Sequence, residues 1–188
     1  AAIQTLTGKT LTSPTIQGTV DPGTGLTMPA FTLGGLVSGN SKQITGALVS
    51  MVRAYHSATQ ATTSGSWFEC LFDSETFDTD AMHSTVSNTG RLTCVTAGQY
   101  IIMGDVEFAA NATGQRDIQI SLNGSPGAGT QIGAVRVIPH ASILNMMQVS
   151  SIYTLAVNDY VSLYAFQNSG GALNLSTLAW FSMVRIGA

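Results

Sequence analysis

The feature that most constrains this chain is a two-residue alternation of polar and apolar side chains. Residues 117–123 read Asp-Ile-Gln-Ile-Ser-Leu-Asn and run into an Asn-Gly dipeptide, which favours a tight hairpin turn. Residues 91–95, 160–166 and 180–186 repeat the alternation. Because successive side chains of a strand point to opposite faces, this period is typical of strands with one buried face.

About ten such segments, separated by turn residues, fill residues 50–188 and predict an all-β, antiparallel sandwich. A helical alternative is an apolar seam at 4-3-4-3 spacing, formed by Ile44, Leu48, Met51, Tyr55 and Ala58. That seam covers about two heptads, fewer than the three or four that indicate a coiled coil. We therefore interpret residues 51–57 as a strand.

Charged residues are scarce in this chain. Only 9% of the residues are charged, against about 25% in an average domain, while 44% are hydrophobic. The composition therefore predicts that much of the surface is buried between identical subunits. The seven Lys and Arg residues form no cluster, which argues against a nucleic-acid partner. No apolar run approaches the roughly 18 residues of a membrane span.

The N-terminal residues carry a short repeat. Residues 5–9, 10–14 and 15–19 each place a branched apolar residue after a Thr and continue into Gly, Ser or Pro turn material. Units this short bury no apolar side chain by themselves. We interpret residues 1–49 as an extended, β-rich stalk or attachment segment that trimerises or docks on another protein; a flexible linker is the alternative.

Two blocks of residues 50–188 carry a recognisable pattern. The first reads Phe-Asp-Thr-Asp-Ala-Met-His at 77–83 and continues through Arg-Leu-Thr at 91–93 to Gly-Gln-Tyr at 98–100. The second reads Asn-Asp-Tyr-Val-Ser-Leu at 158–163 and closes with Phe-Ser-Met-Val-Arg-Ile at 181–186. In their order and spacing these blocks resemble the C1q/TNF-like jelly-roll superfamily, in particular the C1q-like domains of bacteriophage and bacterial fibre proteins. Asn158 stands where the family usually has Gly, and Asn tolerates the same turn geometry.

The resemblance implies a jelly-roll head that assembles into a compact homotrimer, with both chain ends at its base. Large aromatic residues are available for the core of the head and for its trimer axis. The residues that we assign to these two places are Tyr100, Phe108, Tyr160, Phe166, Trp180 and Phe181.

No pattern in the sequence predicts an enzyme. The three histidines are His56, His83 and His140, and neither a nucleophile elbow nor a zinc-protease motif accompanies them. His83 lies next to Ser84 and near Asp80, but adjacency in sequence does not make a catalytic triad. Asp105 and Glu107 share a strand face, where we expect them to meet Arg116 or Arg136.

An acidic stretch is the one candidate for a metal site. Carboxylate oxygens suit Ca²⁺, although the spacing here is not that of an EF-hand. The candidate ligands are Asp73, Glu75, Asp78 and Asp80. The alternative is a solvated acidic edge that discourages aggregation of the sheet. No other cofactor is predicted.

Neutral polar loops are the candidates for ligand contact, because Asn, Ser, Thr and Gln side chains suit sugars and adaptable contacts. The predicted residues are Asn111, Thr113, Asn123, Ser125, Gln167, Asn168 and Asn174. Cys70 and Cys94 fall in strand-like segments, and the sequence leaves open whether they are free or bridged.

Together these features predict a structural protein of the virion, namely a trimeric phage fibre or capsid-decorating protein. Its expected partners are copies of itself, other virion proteins through residues 1–49, and a glycan or protein of the host surface. An exported bacterial surface adhesin of the same fold is the alternative. An adhesin predicts an export signal or an anchor encoded upstream of Ala1.

Overall fold

The computed structural model describes residues 49–187, and within this range the chain forms twelve β-strands and no helix. The strands are β1 (Met51–Tyr55), β2 (Gln60–Thr62), β3 (Ser66–Glu69), β4 (Ser74–Asp78), β5 (Arg91–Thr93), β6 (Gly98–Phe108), β7 (Arg116–Leu122), β8 (Thr130–Val137), β9 (Asn145–Leu155), β10 (Tyr160–Gln167), β11 (Leu173–Leu175) and β12 (Trp180–Gly187). The all-β prediction is confirmed, with two strands more than expected. No helix long and apolar enough to span a membrane occurs in these residues.

The longest strand, β6, organises a seven-stranded antiparallel sheet. One edge of β6 pairs with β9 along its whole length, from Gly98 opposite Leu155 to Phe108 opposite Asn145. The other edge pairs with β12 and, at the last residue of β6, with β11. β1 and then β4 continue the sheet beyond β12, and β2 pairs with β11. The strand interpretation of residues 51–57 is therefore confirmed for β1.

The second sheet has five antiparallel strands around β10. β7 lines one edge of β10, and β8 lies beyond β7. β3 and β5 share the other edge, with β5 pairing at the start of β10 and β3 at its end. The two sheets face each other, so each strand buries alternate side chains between them.

The core between the sheets contains the side chains that the alternation predicts. Along β6, Tyr100, Ile102, Val106 and Phe108 are completely buried, and Phe181 of β12 is buried beside them. The core prediction is confirmed for Tyr100, Phe108 and Phe181. The Tyr100 hydroxyl donates a hydrogen bond to the Thr96 carbonyl (2.6 Å), and burial raises the pKa of Tyr100 to about 12.

The chain enters β1 and leaves β12 at the same end of the sandwich, which we call the base. Met51 pairs with Val184, and the Arg185 amide donates to the Ser50 carbonyl (2.9 Å). This arrangement agrees with the implied position of both chain ends. Residues 1–48 lie outside the described residues, so the stalk segment and its boundary at residue 49 remain predictions.

Turn chemistry at the base follows the sequence. Asn158 has a φ of 72° in the turn between β9 and β10, which is the left-handed geometry that the sequence predicted Asn would tolerate there. The Asp159 carboxylate accepts hydrogen bonds from the Ala156 amide and from the Asn123 side chain, both at 2.8 Å. These contacts join the turn at 156–159 to the start of the loop between β7 and β8.

Candidate functional site: the outer face of the seven-stranded sheet

The outer face of the seven-stranded sheet, directed away from the core, carries nine large apolar side chains among polar ones. It receives the side chains that alternate with the core residues on each strand. Its apolar members are Met51 and Tyr55 of β1, Phe77 of β4, Ile101 and Met103 of β6, Met146 and Ile152 of β9, and Trp180 and Val184 of β12. We call this surface the apolar face.

The side chains of β9 are the most exposed part of the apolar face. Ile152 is 66% exposed and Met146 is 58% exposed, although both are large hydrophobic residues. Ile152 lies opposite Ile101 of β6, so the two side chains form a cross-strand apolar pair. The exposed polar residues Gln148 and Ser150 lie between Met146 and Ile152 on this face of β9. Large apolar side chains exposed on a sheet face are typical of surfaces that contact a partner.

Two carboxylates interrupt the apolar face. Asp105 and Glu107 follow Met103 along β6, and both are almost completely buried. Burial raises the pKa of Asp105, the Glu107 carboxylate raises it further, and Arg53 opposes the shift. The surroundings therefore favour the neutral form of the Asp105 carboxyl.

Arg53 of β1 is the cation that lowers the pKa of Asp105. Its Cζ lies 4.2 Å from the centre of the Trp180 ring, which holds the guanidinium flat against the sheet. Arg53 also lines a small depression of about 150 Å³ on the same face, together with Met51, Phe77 and Val184. The face thus has the apolar surface, the anchored cation and the recesses that a protein partner needs.

The expected partners of Asp105 and Glu107 are corrected by the structure. Arg136 forms a bidentate ion pair with Asp117, at 2.7–2.9 Å. Arg116 is completely buried and donates to backbone carbonyls instead. Both arginines lie on β7 and β8 in the other sheet, which the sequence pattern did not reveal.

Three of the predicted aromatic residues lie outside the sandwich core. Trp180 is on the apolar face. Tyr160 and Phe166 lie on the outer face of the five-stranded sheet, where Phe166 packs against Trp67 at 5.5 Å and Tyr160 packs under Arg91. Of the two places predicted for the aromatic residues, these three therefore do not occupy the core, because their side chains point outward from their strands; the trimer axis stays a prediction for them.

The predicted ligand loops separate to the two ends of the sandwich. Asn111, Thr113 and Asn168 lie at the far end, opposite the base, where Asn168 Oδ1 accepts from the Gln115 amide (2.6 Å). Asn123 and Ser125 lie at the base. The Asn123 side chain donates to Asp159 and accepts from the Tyr160 amide, so it organises a turn.

The prediction for Gln167 is corrected, whereas Asn174 is exposed on β11. Gln167 is completely buried, and its amide bonds to the Gly171 carbonyl (2.8 Å) and to the Ser169 amide (2.8 Å). It therefore supports the loop at 168–172 from inside and is closed to ligands.

The four calcium candidates make separate contacts. Asp73 binds Ser57, Glu75 contacts His83, Asp78 accepts from the amides of Asp80 and His83, and Asp80 accepts from the hydroxyls of Ser50 and Thr96. Within residues 49–187, no group of three or more His, Cys, Asp or Glu side chains is placed to hold a metal ion. The calcium prediction consequently rests on the sequence alone.

The histidines have structural surroundings. The ring nitrogens of His83 lie 2.8 Å from the Glu75 carboxylate and 3.0 Å from the Thr89 carbonyl. The neighbouring Ser84 hydroxyl accepts backbone amides of its own loop. His56 packs against Phe72 at 5.0 Å, and burial lowers its pKa.

Cys70 and Cys94 are both free and buried. Burial raises the pKa of each thiol, which keeps both of them protonated and unreactive. The alternative that the sequence left open is therefore decided in favour of free thiols.

The residues that sequence reasoning missed are Arg53, Met103, Met146 and Ile152. The alternation in residues 145–155 could have identified two of them, because Met146 and Ile152 occupy positions of β9 whose side chains point away from the core. An outward hydrophobic residue on a long strand is the observation that points to a covered face.

Solved structures resemble the described sandwich at low sequence identity. Murine APRIL at pH 5.0 matches with a TM-score of 0.58 and 11% identity, over 73% of this chain and 99% of that chain. The globular domain of zebrafish complement 1qA protein matches with a TM-score of 0.54 and 16% identity, over 72% and 96%. Eiger TNF from S. frugiperda matches with a TM-score of 0.52 and 8% identity, over 74% and 93%.

No protein-family model and no curated protein matches the chain. The structural matches cover nearly the whole of each neighbour, and each neighbour is a TNF-like or C1q-like domain. Residues 49–187 of this chain therefore have the jelly-roll fold of the TNF/C1q-like superfamily.

Proposed function

We propose that this chain is the subunit of a homotrimeric, non-enzymatic structural protein of a virus particle, a phage fibre or a capsid-decorating protein. Residues 50–188 form its head, and residues 1–49 attach the head to another virion protein. The observation that carries the proposal is the apolar face, where Ile152 and Met146 remain largely exposed in a single chain. Burial of that face between copies removes apolar surface from water.

Several features favour identical copies as the occupants of this face. Only 9% of the residues are charged, which leaves a single chain with little of the charge that keeps monomers soluble. β9 is an edge strand of the seven-stranded sheet, since it pairs only with β6 among the described strands. Packing an edge strand with exposed apolar side chains against a second copy covers that edge and prevents open-ended aggregation.

The geometry of the two chain ends supports an attached head. Both ends of the described chain lie at the base, where Ser50 and Arg185 are hydrogen-bonded. The chain therefore enters the head at the base. The assignment to a virion itself rests on the resemblance of residues 77–100 and 158–186 to fibre-protein domains and on the short repeat near the N-terminus.

Mass measurement of the purified chain by light scattering or native mass spectrometry tests the assembly. We expect about 59 kDa, three times the chain mass of 19.6 kDa, at micromolar concentration. A particle of 19.6 kDa under these conditions contradicts the proposal.

Gold-labelled antibodies against the head test the virion assignment. Labelling of purified phage particles supports a fibre or decorating protein. Labelling confined to the bacterial cell surface supports the adhesin alternative and contradicts the virion role. Gold particles on the tail indicate a tail fibre, and gold particles on the capsid indicate a capsid-decorating protein.

A further inference from the structure

A polar depression of about 440 Å³ lies at the side of the sandwich near the base. The loop between β4 and β5, strand β5, and the turn between β9 and β10 enclose it. The lining residues used below are Ser87, Asn88, Arg91, Thr93, Asn158 and Tyr160. Its volume falls in the range of about 300–1,000 Å³ that is usual for sites of small ligands.

Arg91 is a fixed cation in this depression. Its Cζ lies 4.2 Å from the centre of the Tyr160 ring, on the neighbouring strand. The contact with the ring positions the guanidinium, and no hydrogen bond from its N–H groups to another described residue occurs, so they are available for a bidentate acceptor. Among the described residues the ion pairs are those of His83 with Glu75 and of Arg136 with Asp117, so Arg91 forms none.

The described residues that line the depression include no carboxylate. Acidic side chains of the neighbouring segments have partners of their own. Glu75 contacts His83, Asp78 accepts from the amides of Asp80 and His83, Asp80 bonds to Ser50 and Thr96, and Asp159 bonds to Asn123 and the Ala156 amide. The remaining lining residues are Ala81, Met82, Ser84 and His83, and the His83 side chain is fully buried against Glu75. The depression therefore presents the Arg91 cation among hydroxyl, amide and apolar groups. That balance suits a ligand with one negative charge and several hydroxyls.

The backbone around the depression is held in an unusual conformation. Of the four non-glycine residues with positive φ in residues 49–187, three line it, namely Ala81 (51°), Asn88 (51°) and Asn158 (72°). Asn tolerates this region, whereas Ala has no side chain that offsets its cost of about 1–2 kcal/mol. Backbone strain of this kind concentrates at ligand sites.

We propose that this depression binds a carboxylate-bearing sugar, a uronic-acid type residue of a surface polysaccharide. Arg91 binds the carboxylate with two parallel hydrogen bonds. The amides of Asn88 and Asn158 and the hydroxyls of Ser87 and Thr93 meet the sugar hydroxyls, for which they serve as both donors and acceptors. A small inorganic anion fills only a fraction of the depression and leaves these groups unused.

The site is independent of the assembly proposed above. It lies beside β5 and β10 of the five-stranded sheet, whereas the apolar face belongs to the other sheet. The residues of the depression all belong to one chain, so the proposal does not depend on the trimer. The inference goes beyond the proposed structural role, because it assigns a ligand class to residues outside the predicted far-end loops.

Calorimetric titration with trigalacturonic acid, and with neutral galactotriose as the matched probe, tests the proposal. We expect the acidic trisaccharide to bind and the neutral one to bind at least about tenfold more weakly. Arg91→Met keeps the aliphatic stem over Tyr160 and should weaken binding of the acidic probe by at least about tenfold. Arg136→Met removes a surface arginine of the same sheet and should leave binding unchanged.

Two further variants separate the hydroxyl-binding groups from folding. Asn88→Gly and Asn158→Gly keep the positive φ and remove only the amide, so each should fold normally and bind the acidic probe about two- to tenfold more weakly. Equal binding of the neutral probe, unchanged binding by Arg91→Met, or equal binding of free acetate overturns the proposal. Native mass, recorded on the same samples, reports on assembly separately.

Discussion

Asp105 and Glu107 leave β6 on the same side of the seven-stranded sheet, and each residue is only 7% exposed. The Oδ1 atom of Asp105 has no hydrogen-bond partner among the described residues. Burial, reinforced by the Glu107 carboxylate, raises the pKa of Asp105, while Arg53 lowers it. A carboxyl group in these surroundings favours its neutral form, so its ionisation destabilises the folded state.

The first prediction concerns the pH dependence of this pair. The pKa of Asp105 in the folded state lies above the ordinary value of 3.8. The free energy of unfolding is therefore highest with respect to this group below pH 3.8, and it falls as the pH rises from there through the folded pKa. Asp105→Asn should therefore unfold with a free energy about 1 kcal/mol higher at neutral pH, with no gain in strong acid. Urea unfolding of the parent and of Asp105→Asn, at one fixed protein concentration, measures the free energy of unfolding at neutral pH and in strong acid.

Asp73 provides a control of opposite sign. Hydrogen bonds from the Ser57 hydroxyl and amide lower the pKa of the Asp73 carboxyl. The Asp73 carboxylate therefore adds to the free energy of unfolding at pH values above its ordinary pKa, and this contribution is lost as the pH falls through the lowered pKa of the folded state. Asp73→Asn should therefore be less stable than the parent at neutral pH and equal to it in strong acid. The same direction of change in both variants would contradict the electrostatic explanation.

The second prediction concerns the apolar face. Ile152→Glu places three charges in the proposed trimer contact, where each loses its hydration. The particle mass should fall from about 59 kDa to the chain mass of 19.6 kDa at micromolar concentration. Val86→Glu changes a residue that is 90% exposed in the loop between β4 and β5, and it should remain trimeric. A trimeric Ile152→Glu protein would show that the apolar face is not the contact.

The third prediction concerns Gly98, the first residue of β6. Its φ is 155°, and a Cβ atom there would meet the Gly187 carbonyl oxygen and lie 2.5 Å from Arg185 Nε. Gly98→Ala should therefore lower the free energy of unfolding by about 1–3 kcal/mol. Gly171→Ala is the matched control, since its Cβ would meet nothing within 4 Å. Equal stability of the two variants in urea would refute the packing argument.

The fourth prediction concerns the buried arginine of β7. Arg116 Nη1 donates to the carbonyls of Thr113 and Gln115, and Nη2 donates to that of Asn111, at 2.9–3.0 Å. Arg116→Met leaves these carbonyls without their donors and should cost about 2–4 kcal/mol. Hydrogen exchange should accelerate in residues 109–115.

Arg136→Met tests whether burial of the arginine causes the expected loss of stability in Arg116→Met. The Arg136 side chain is 68% exposed in its ion pair with Asp117, so its loss should cost less than the loss of Arg116. A larger loss for Arg136→Met than for Arg116→Met would contradict the assignment of Arg116 as the residue that organises the far-end loop.

The strands could be predicted where polar and apolar residues alternate over several positions. The segments at 117–123, 160–166 and 180–186 became β7, β10 and β12 almost unchanged. β2 and β11, each of three residues, were harder to recognise, because alternation needs more positions than a short strand offers.

The candidate site was less predictable than the strands. Gln167 and Asn168 are neighbours in sequence, yet Gln167 is buried under a loop and Asn168 is exposed. Asn111 and Asn123 flank one strand and consequently lie at opposite ends of the sandwich. Arg53 acts on Asp105 across more than fifty positions of sequence, through the pairing of β1 with β12 and of β12 with β6. Such relationships arise from strand order, which no local pattern encodes.

Alternation alone assigns Ile101 and Ile102 to opposite sides of β6, because the direction of consecutive side chains is a property of the extended backbone. Which side meets the second sheet is a different question. Its answer depends on the pairing of Met51 with Val184 and of β6 with β9, contacts between segments far apart in the chain. Those long-range pairings buried Ile102, left Ile101 on the apolar face, and brought Arg91 onto Tyr160.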